Sequence, residues 1–130
     1  MAVPKYDEMY NDFLITLVDG KEHDIKEIRE IVAKKKKLTD EDLKETLHSG
    51  KCKYFNRIGW TATYLKKAGL INSVKRGMFN ITDEGNKIIT NNERIDNNFL
   101  LNYDSFKEFT LIQENYMIYY FNNIHLNNQN

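Results

Sequence analysis

Apolar side chains recur at three-and-four spacing from Tyr6 through Met9, Tyr10, Phe13, Leu14 and Leu17 to Val18, between Pro4 and Asp19-Gly20. That spacing keeps one face of a helix apolar and predicts a first helix. Lys21 to His23 predicts a stub of strand. Asp24 with Glu27 three residues on is a capping box ahead of Ile25, Ile28, Ile31 and Val32, which predicts a second helix. Its end falls in Lys34–Lys37, a lysine run that suits a solvated last turn better than a phosphate site. Thr39 and Asp42 form another capping box, predicting a short helix that buries Leu43 and Leu47 and stops near Ser49-Gly50.

A longer helix follows, over about Phe55 to Ala68, closed by Gly69 at a position that favours a left-handed residue. Advancing about 100° per residue from Ile58 puts Ala62 and Leu65 beside it and sets Asn56, Trp60, Thr63 and Lys67 opposite. Leu70–Val74 and Met78–Ile81 are short apolar runs around Lys75-Arg76-Gly77, which predicts a β-hairpin with glycine at the turn. Thr82 or Asp83 then caps a helix carrying Ile88 and Ile89.

This order predicts a mainly α fold with a small β-hairpin, a winged helix-turn-helix over residues 1–92. Residues 93–130 read as an Asn-rich helical extension or linker remnant. Ile95, Phe99, Tyr103 and Phe106 keep helical spacing and predict a docked helix to about Phe109. Tyr116–Phe121 is an unbroken apolar run that suits a pairing strand, a dimer contact or a sticky tail.

Charge changes the picture. The chain's 19 Lys and Arg balance its 19 Asp and Glu, yet residues 51–82 hold seven bases (Lys51, Lys53, Arg57, Lys66, Lys67, Lys75, Arg76) and no acid. Acidic segments flank this window, so a neutral total conceals a basic patch suited to a polyanion. Hydrophobic residues make up 41% of the chain, enough for a core. No run approaches the roughly 18 apolar residues of a membrane span, and no signal-like segment opens the sequence, so a cytoplasmic protein is expected.

Catalysis has little to stand on. A metal-dependent phosphodiesterase would use an Asp followed by Glu-x-Lys or Gln-x-Lys, and the sequence contains neither tripeptide. Asp19-Gly20-Lys21, Asp24-Ile25-Lys26 and Asp42-Leu43-Lys44 share part of that spacing, but capping explains them better. Cys52 is the one cysteine and reads as structural, and His23, His48 and His125 lie too far apart for ligand spacing. No catalytic residue, metal site or cofactor is expected. Duplex DNA is the expected partner: Asn56 and Thr63 could reach base edges, while Arg57, Lys66 and Lys67 neutralise phosphates, with Lys51 and Lys53 at the start of the basic window. Lys75 and Arg76 would lie on neighbouring backbone or in the minor groove, and Trp60 would pack against the wing or stack on a base.

Pro4-Lys5-Tyr6-Asp7, Asn56-Arg57-Ile58-Gly59-Trp60, Thr63 to Leu70, Lys75-Arg76-Gly77 and Ile81-Thr82-Asp83-Glu84-Gly85 resemble the N-terminal winged-helix domain of Mrr-type restriction endonucleases. The resemblance covers about residues 4–92, and Ile95–Phe109 is similar to the start of that family's linker. It implies a DNA-recognition module of a restriction system acting on foreign, often methylated, DNA. It does not extend to the family's nuclease motif, so it implies recognition without cutting. Two other readings stand beside it: a small transcriptional or anti-restriction regulator that forms a homodimer through its extension, and a winged-helix protein-interaction module centred on Trp60.

Overall fold

The computed structural model describes residues 2–128, with side chains placed as far as residue 123. A 3-10 turn, Tyr6–Glu8, leads into helix α1, Tyr10–Thr16. The first helix is thus shorter than its apolar spacing predicts. Met9 leaves helical geometry at φ −112° and ψ 4°, and Val18 lies beyond the helix end, 47% exposed. Strand β1, His23–Asp24, follows, and then α2, Ile25–Lys35. Asp24 caps α2 by accepting from the Lys26 amide at 2.7 Å. Glu27 does not complete the expected box, because its carboxylate accepts from His23 Nδ1 at 2.8 Å instead. Lys36, from the lysine run, pairs with Asp12 of α1 at 2.9 Å.

Helix α3, Asp40–Lys44, has its predicted box: Thr39 Oγ1 accepts from the Asp42 amide at 3.1 Å, and Asp42 Oδ2 accepts from the Thr39 amide at 2.9 Å. These bonds hold the Asp42 carboxyl below its ordinary pKa, and Asp42 is the buried residue of this helix. The expectation that Leu43 is buried fails. Five residues give the helix a single turn directed by its box, and Leu43 remains 36% exposed. A loop closed by a Thr46–Cys52 bridge then delivers the chain to α4, Lys53–Lys67.

Strands β2, Ile71–Lys75, and β3, Met78–Ile81, form the hairpin, and β1 adds to its other edge in the antiparallel order β1-β3-β2. Lys75 pairs with Met78, so the turn is Arg76-Gly77, with Gly77 at φ +77°. The apolar reading of β2 holds only at its root: Ile71 is buried, whereas Val74 sits in a register shift between Ser73 and Lys75 and is exposed. Helix α5, Asp83–Thr90, is capped by Thr82, whose hydroxyl accepts from the Gly85 amide at 3.0 Å. Helices α1, α2 and α4 with the hairpin give a mainly α fold with a small antiparallel sheet, in the element order of a winged helix.

The segment after residue 92 departs from the single helix expected over Ile95–Phe109. Asp96 caps a one-turn helix α6, Asn97–Leu100, and the chain turns through Leu101–Tyr103 before α7, Asp104–Asn128. Polar side chains of α1 impose this route. Asn11 bonds both the Glu93 carbonyl and the Ile95 amide, and Asn97 bridges the Tyr10 and Tyr6 hydroxyls. Ile95, Leu100 and Phe106 are buried in the same core as Phe13, Leu14, Ile28, Ile58 and Leu65. Each such side chain contributes roughly 1.5–3 kcal/mol. The run Tyr116–Phe121 is helical, which removes the strand reading.

His23 is held between two carboxylates, with Nε2 2.8 Å from Asp19 Oδ1 and Nδ1 2.8 Å from Glu27 Oε1. Acceptors at both nitrogens favour the imidazolium. Its pKa is raised above 6.5, mainly by Asp19, against a smaller opposing effect of burial, while hydrogen bonding to His23 lowers that of Asp19 below 3.8. A raised histidine stabilises fully below 6.5 and loses that contribution as pH climbs through the folded value. The lowered aspartate acts above 3.8 and is lost as pH falls through its folded value. His23→Gln should therefore flatten the fall in melting temperature above pH 6.5, read by thermal unfolding across pH.

Candidate nucleic-acid interface

Helix α4 owes its length to strong local signals. Ile58, Thr61, Ala62 and Leu65 fall on one side and are buried, and Gly69 at φ +81° ends the helix. Its opposite side presents Asn56, Gly59, Trp60, Thr63, Lys66 and Lys67. Thr63 donates to the Gly59 carbonyl at 3.1 Å, leaving oxygen lone pairs available as acceptors. Trp60 is 45% exposed and packs edge-on against Tyr64, with ring centroids 6.2 Å apart. Tyr64 is in turn wedged between Tyr6 of the amino-terminal turn and Phe106 and Phe109 of α7.

The cations of the basic window divide into three groups. Lys51, Lys66, Lys75 and Arg76 are exposed, and among the described residues none of the four forms a salt bridge. Lys67 is exposed too, with its ammonium 5.4 Å from the centroid of the Phe109 ring. Lys53 reaches Glu45 at 3.8 Å across a half-exposed gap, an ion pair of little strength. Arg57 differs from all of these. It turns inward, and one guanidinium nitrogen donates to the Val3 carbonyl at 2.6 Å and to the Pro4 carbonyl at 3.3 Å. Thr61 adds a bond to the Tyr6 carbonyl at 2.7 Å, so this flank of α4 clasps the amino-terminal segment. The fold therefore uses Arg57 as a brace, while the sequence alone presents it as one more phosphate contact.

Glu108 of α7 shares a shallow hollow with Lys66 and Lys67. It places one carboxylate at the rim of the basic surface. No metal-holding group of three or more His, Cys, Asp or Glu occurs among the described residues, and Cys52 directs its thiol toward the Leu43 carbonyl at 3.5 Å. No helix of the described residues is long and apolar enough to cross a membrane.

The family model described as the Mrr N-terminal domain matches residues 6–91, from the amino-terminal turn through α5. The chain belongs to this family. It is also similar to the type IV methyl-directed restriction enzyme EcoKMrr of Escherichia coli strain K12, at 34% identity over 86 residues. That match takes in 65% of this chain but only 28% of the enzyme. No solved structure matches the chain. The basic window, residues 51–82, lies wholly inside the matched Mrr N-terminal domain, whereas α6 and α7 lie beyond it.

Sequence patterning overlooks Gly59. It sits in the middle of the exposed side of α4, where an added Cβ would meet nothing within 4 Å. Packing gives this Mrr N-terminal domain no reason for a glycine there, and in mid-helix glycine costs about 0.5–1 kcal/mol relative to alanine. Gly59→Ala should raise the melting temperature by a few degrees.

Proposed function

We propose that this Mrr N-terminal domain binds duplex DNA as the recognition part of a restriction-system protein and does not itself cut. In this reading α4 enters the major groove and the β2–β3 hairpin lies along adjacent backbone or minor groove. One observation carries it: the exposed polar side of α4 and the hairpin tip belong to a single acid-free stretch, residues 51–82, that contains seven bases. Asn56 is suited to a bidentate contact with adenine, and Thr63 to either base type. Lys51, Lys66, Lys67, Lys75 and Arg76 would take phosphates. Lys53 and Arg57 add positive field from positions already engaged by Glu45 and by the amino-terminal carbonyls. The reading requires no metal or cofactor and places the protein with DNA in the cytoplasm.

The relative's methyl-directed action makes modified DNA the natural ligand class to compare. In a mobility-shift assay at low salt, this chain should retard duplex, with methylated and unmethylated versions of one sequence differing in affinity. Adding magnesium should leave the duplex intact. Failure to shift either duplex would contradict recognition, and cleavage would contradict the non-catalytic assignment. A dimeric DNA-binding regulator is the second reading, favoured by the exposed apolar length of α7.

A further inference from the structure

Helices α2, α3 and α4 together line a cleft of about 360 Å³. Ala33, Leu43, Tyr54 and Phe55 give it an apolar wall, and Lys26, Arg29 and Glu30 of α2 give it charge. Phe55 and Tyr64 fall about 180° apart around α4, so the cleft lies on the side of that helix away from the docked root of α7. Tyr54 is buried, and its hydroxyl donates to the Arg29 carbonyl at 2.7 Å, whereas Phe55 is left nearly half exposed.

Arg29 is the unusual member of this group. Its guanidinium carbon lies 3.8 Å from the centroid of the Phe55 ring. Among the described residues it forms no salt bridge, and its Nε is buried without a hydrogen-bond partner. A buried donor with no acceptor is costly and calls for an explanation. An acceptor brought into the cleft would supply one.

We propose that this cleft binds a small aromatic carboxylate, its ring against Phe55, Tyr54 and Leu43 and its carboxylate accepting from Arg29. Three features select that chemistry. Two aromatic side chains in the wall favour a ring, which packs on them edge-on or offset. Lys26 and Arg29 set two positive charges against the one negative charge of Glu30, and a guanidinium stacked on Phe55 keeps its edge free to hold a carboxylate in two parallel bonds. The start of α4 adds to the same sign, since Cys52 makes no side-chain cap bond and the first turn contains no acid. Size decides between a small molecule and a protein. The cleft falls at the lower end of the roughly 300–1,000 Å³ usual for small-molecule sites. A protein partner would need on the order of 800 Å² per side, but Lys26 and Glu30 at the cleft are exposed charges and offer no apolar margin.

The test uses the full chain without DNA, so its result is independent of the DNA-binding reading. Three probes are titrated against the chain by amide and arginine side-chain NMR: 2-naphthoate, the uncharged 2-naphthalenemethanol, and acetate. 2-Naphthoate should give saturable shifts at Ala33, Leu43, Tyr54, Phe55 and the Arg29 Nε–H signal, with a Kd of about 0.1–1 mM. The alcohol should bind about tenfold more weakly and acetate should not saturate, because each lacks one half of the recognised chemistry. Arg29→Met should bring 2-naphthoate down to the affinity of the alcohol. Lys26→Glu alters an exposed side chain outside the core, so it should leave the melting temperature unmoved and still weaken 2-naphthoate several-fold. Equal binding of 2-naphthoate and the alcohol overturns the proposal, as does the absence of saturable shifts at the cleft by roughly 10 mM, well above that range. A Lys26→Glu chain that binds 2-naphthoate as tightly as the wild type also overturns it.

Discussion

Gly85→Ala should destabilise the fold by about 3 kcal/mol and lower the melting temperature by about 10 °C. The sign is the informative part, because replacing a helical glycine by alanine ordinarily stabilises. Here a Cβ would lie 2.9 Å from Ile81 Cγ1 and 3.1 Å from the Leu70 carbonyl carbon, and closer still to the Leu70 oxygen. That oxygen cannot easily retreat. It accepts from the Thr82 amide at 3.1 Å, while Thr82 also donates to the Gly69 carbonyl at 2.8 Å and caps α5 through Gly85. The end of α4, the root of the wing and the start of α5 therefore meet at one point, with backbone on both sides of it. Circular dichroism melts of the two proteins decide the matter, and an unchanged or raised melting temperature would show that α5 does not approach Leu70 so closely.

The largest functional effect is expected from the wing. Lys75→Ala with Arg76→Ala removes two exposed cations from the hairpin tip without touching the core, so stability should change by less than about 0.5 kcal/mol. Binding should change in a specific way: the slope of log affinity against log salt should become shallower by about 2, one unit for each lost phosphate contact. Arg57→Ala supplies the contrast. It strips a charged donor from the Val3 and Pro4 carbonyls and should cost about 1–2 kcal/mol of stability. The salt slope should hardly move. If Arg57→Ala reduced the slope as much as the wing variant, the division of the basic window into braces and contacts would be wrong.

What could be read from the sequence was chemistry that closes over a few residues. The Asp24, Thr39 and Thr82 caps depend on neighbours two or three positions away, and the buried face of α4 follows from its period, so all of these are legible. Commitments across the fold are not. Nothing near Arg57 in sequence indicates that Val3 and Pro4 will take its guanidinium from 54 and 53 residues away. The turn between α6 and α7 was hidden for the same reason: Ile95, Phe99, Tyr103 and Phe106 are spaced as one helix, and Asn11 and Asn97 divert the chain through contacts more than 80 residues away in sequence. Tyr116–Phe121 is different again, since six consecutive apolar residues satisfy helix and strand periods alike. Only the helix leading into the run decides between them.

The candidate interface was legible as a surface and not as a set of separate roles. Asn56, Trp60, Thr63, Lys66 and Lys67 share the outward side of α4 as their period requires. The same wheel projection treats Gly59 as a gap and cannot show Tyr64 as the side chain on which Tyr6, Trp60, Phe106 and Phe109 converge. Through Tyr64 the outward side of α4 is joined to α7.

Titrating the affinity of this chain for a fluorescent duplex over a range of sodium chloride concentrations tests the central claim most directly. If Lys51, Lys66, Lys67, Lys75 and Arg76 each neutralise a phosphate, log affinity should fall against log salt with a slope of about −4 to −5. A slope near zero, or no binding at the lowest salt, would contradict it.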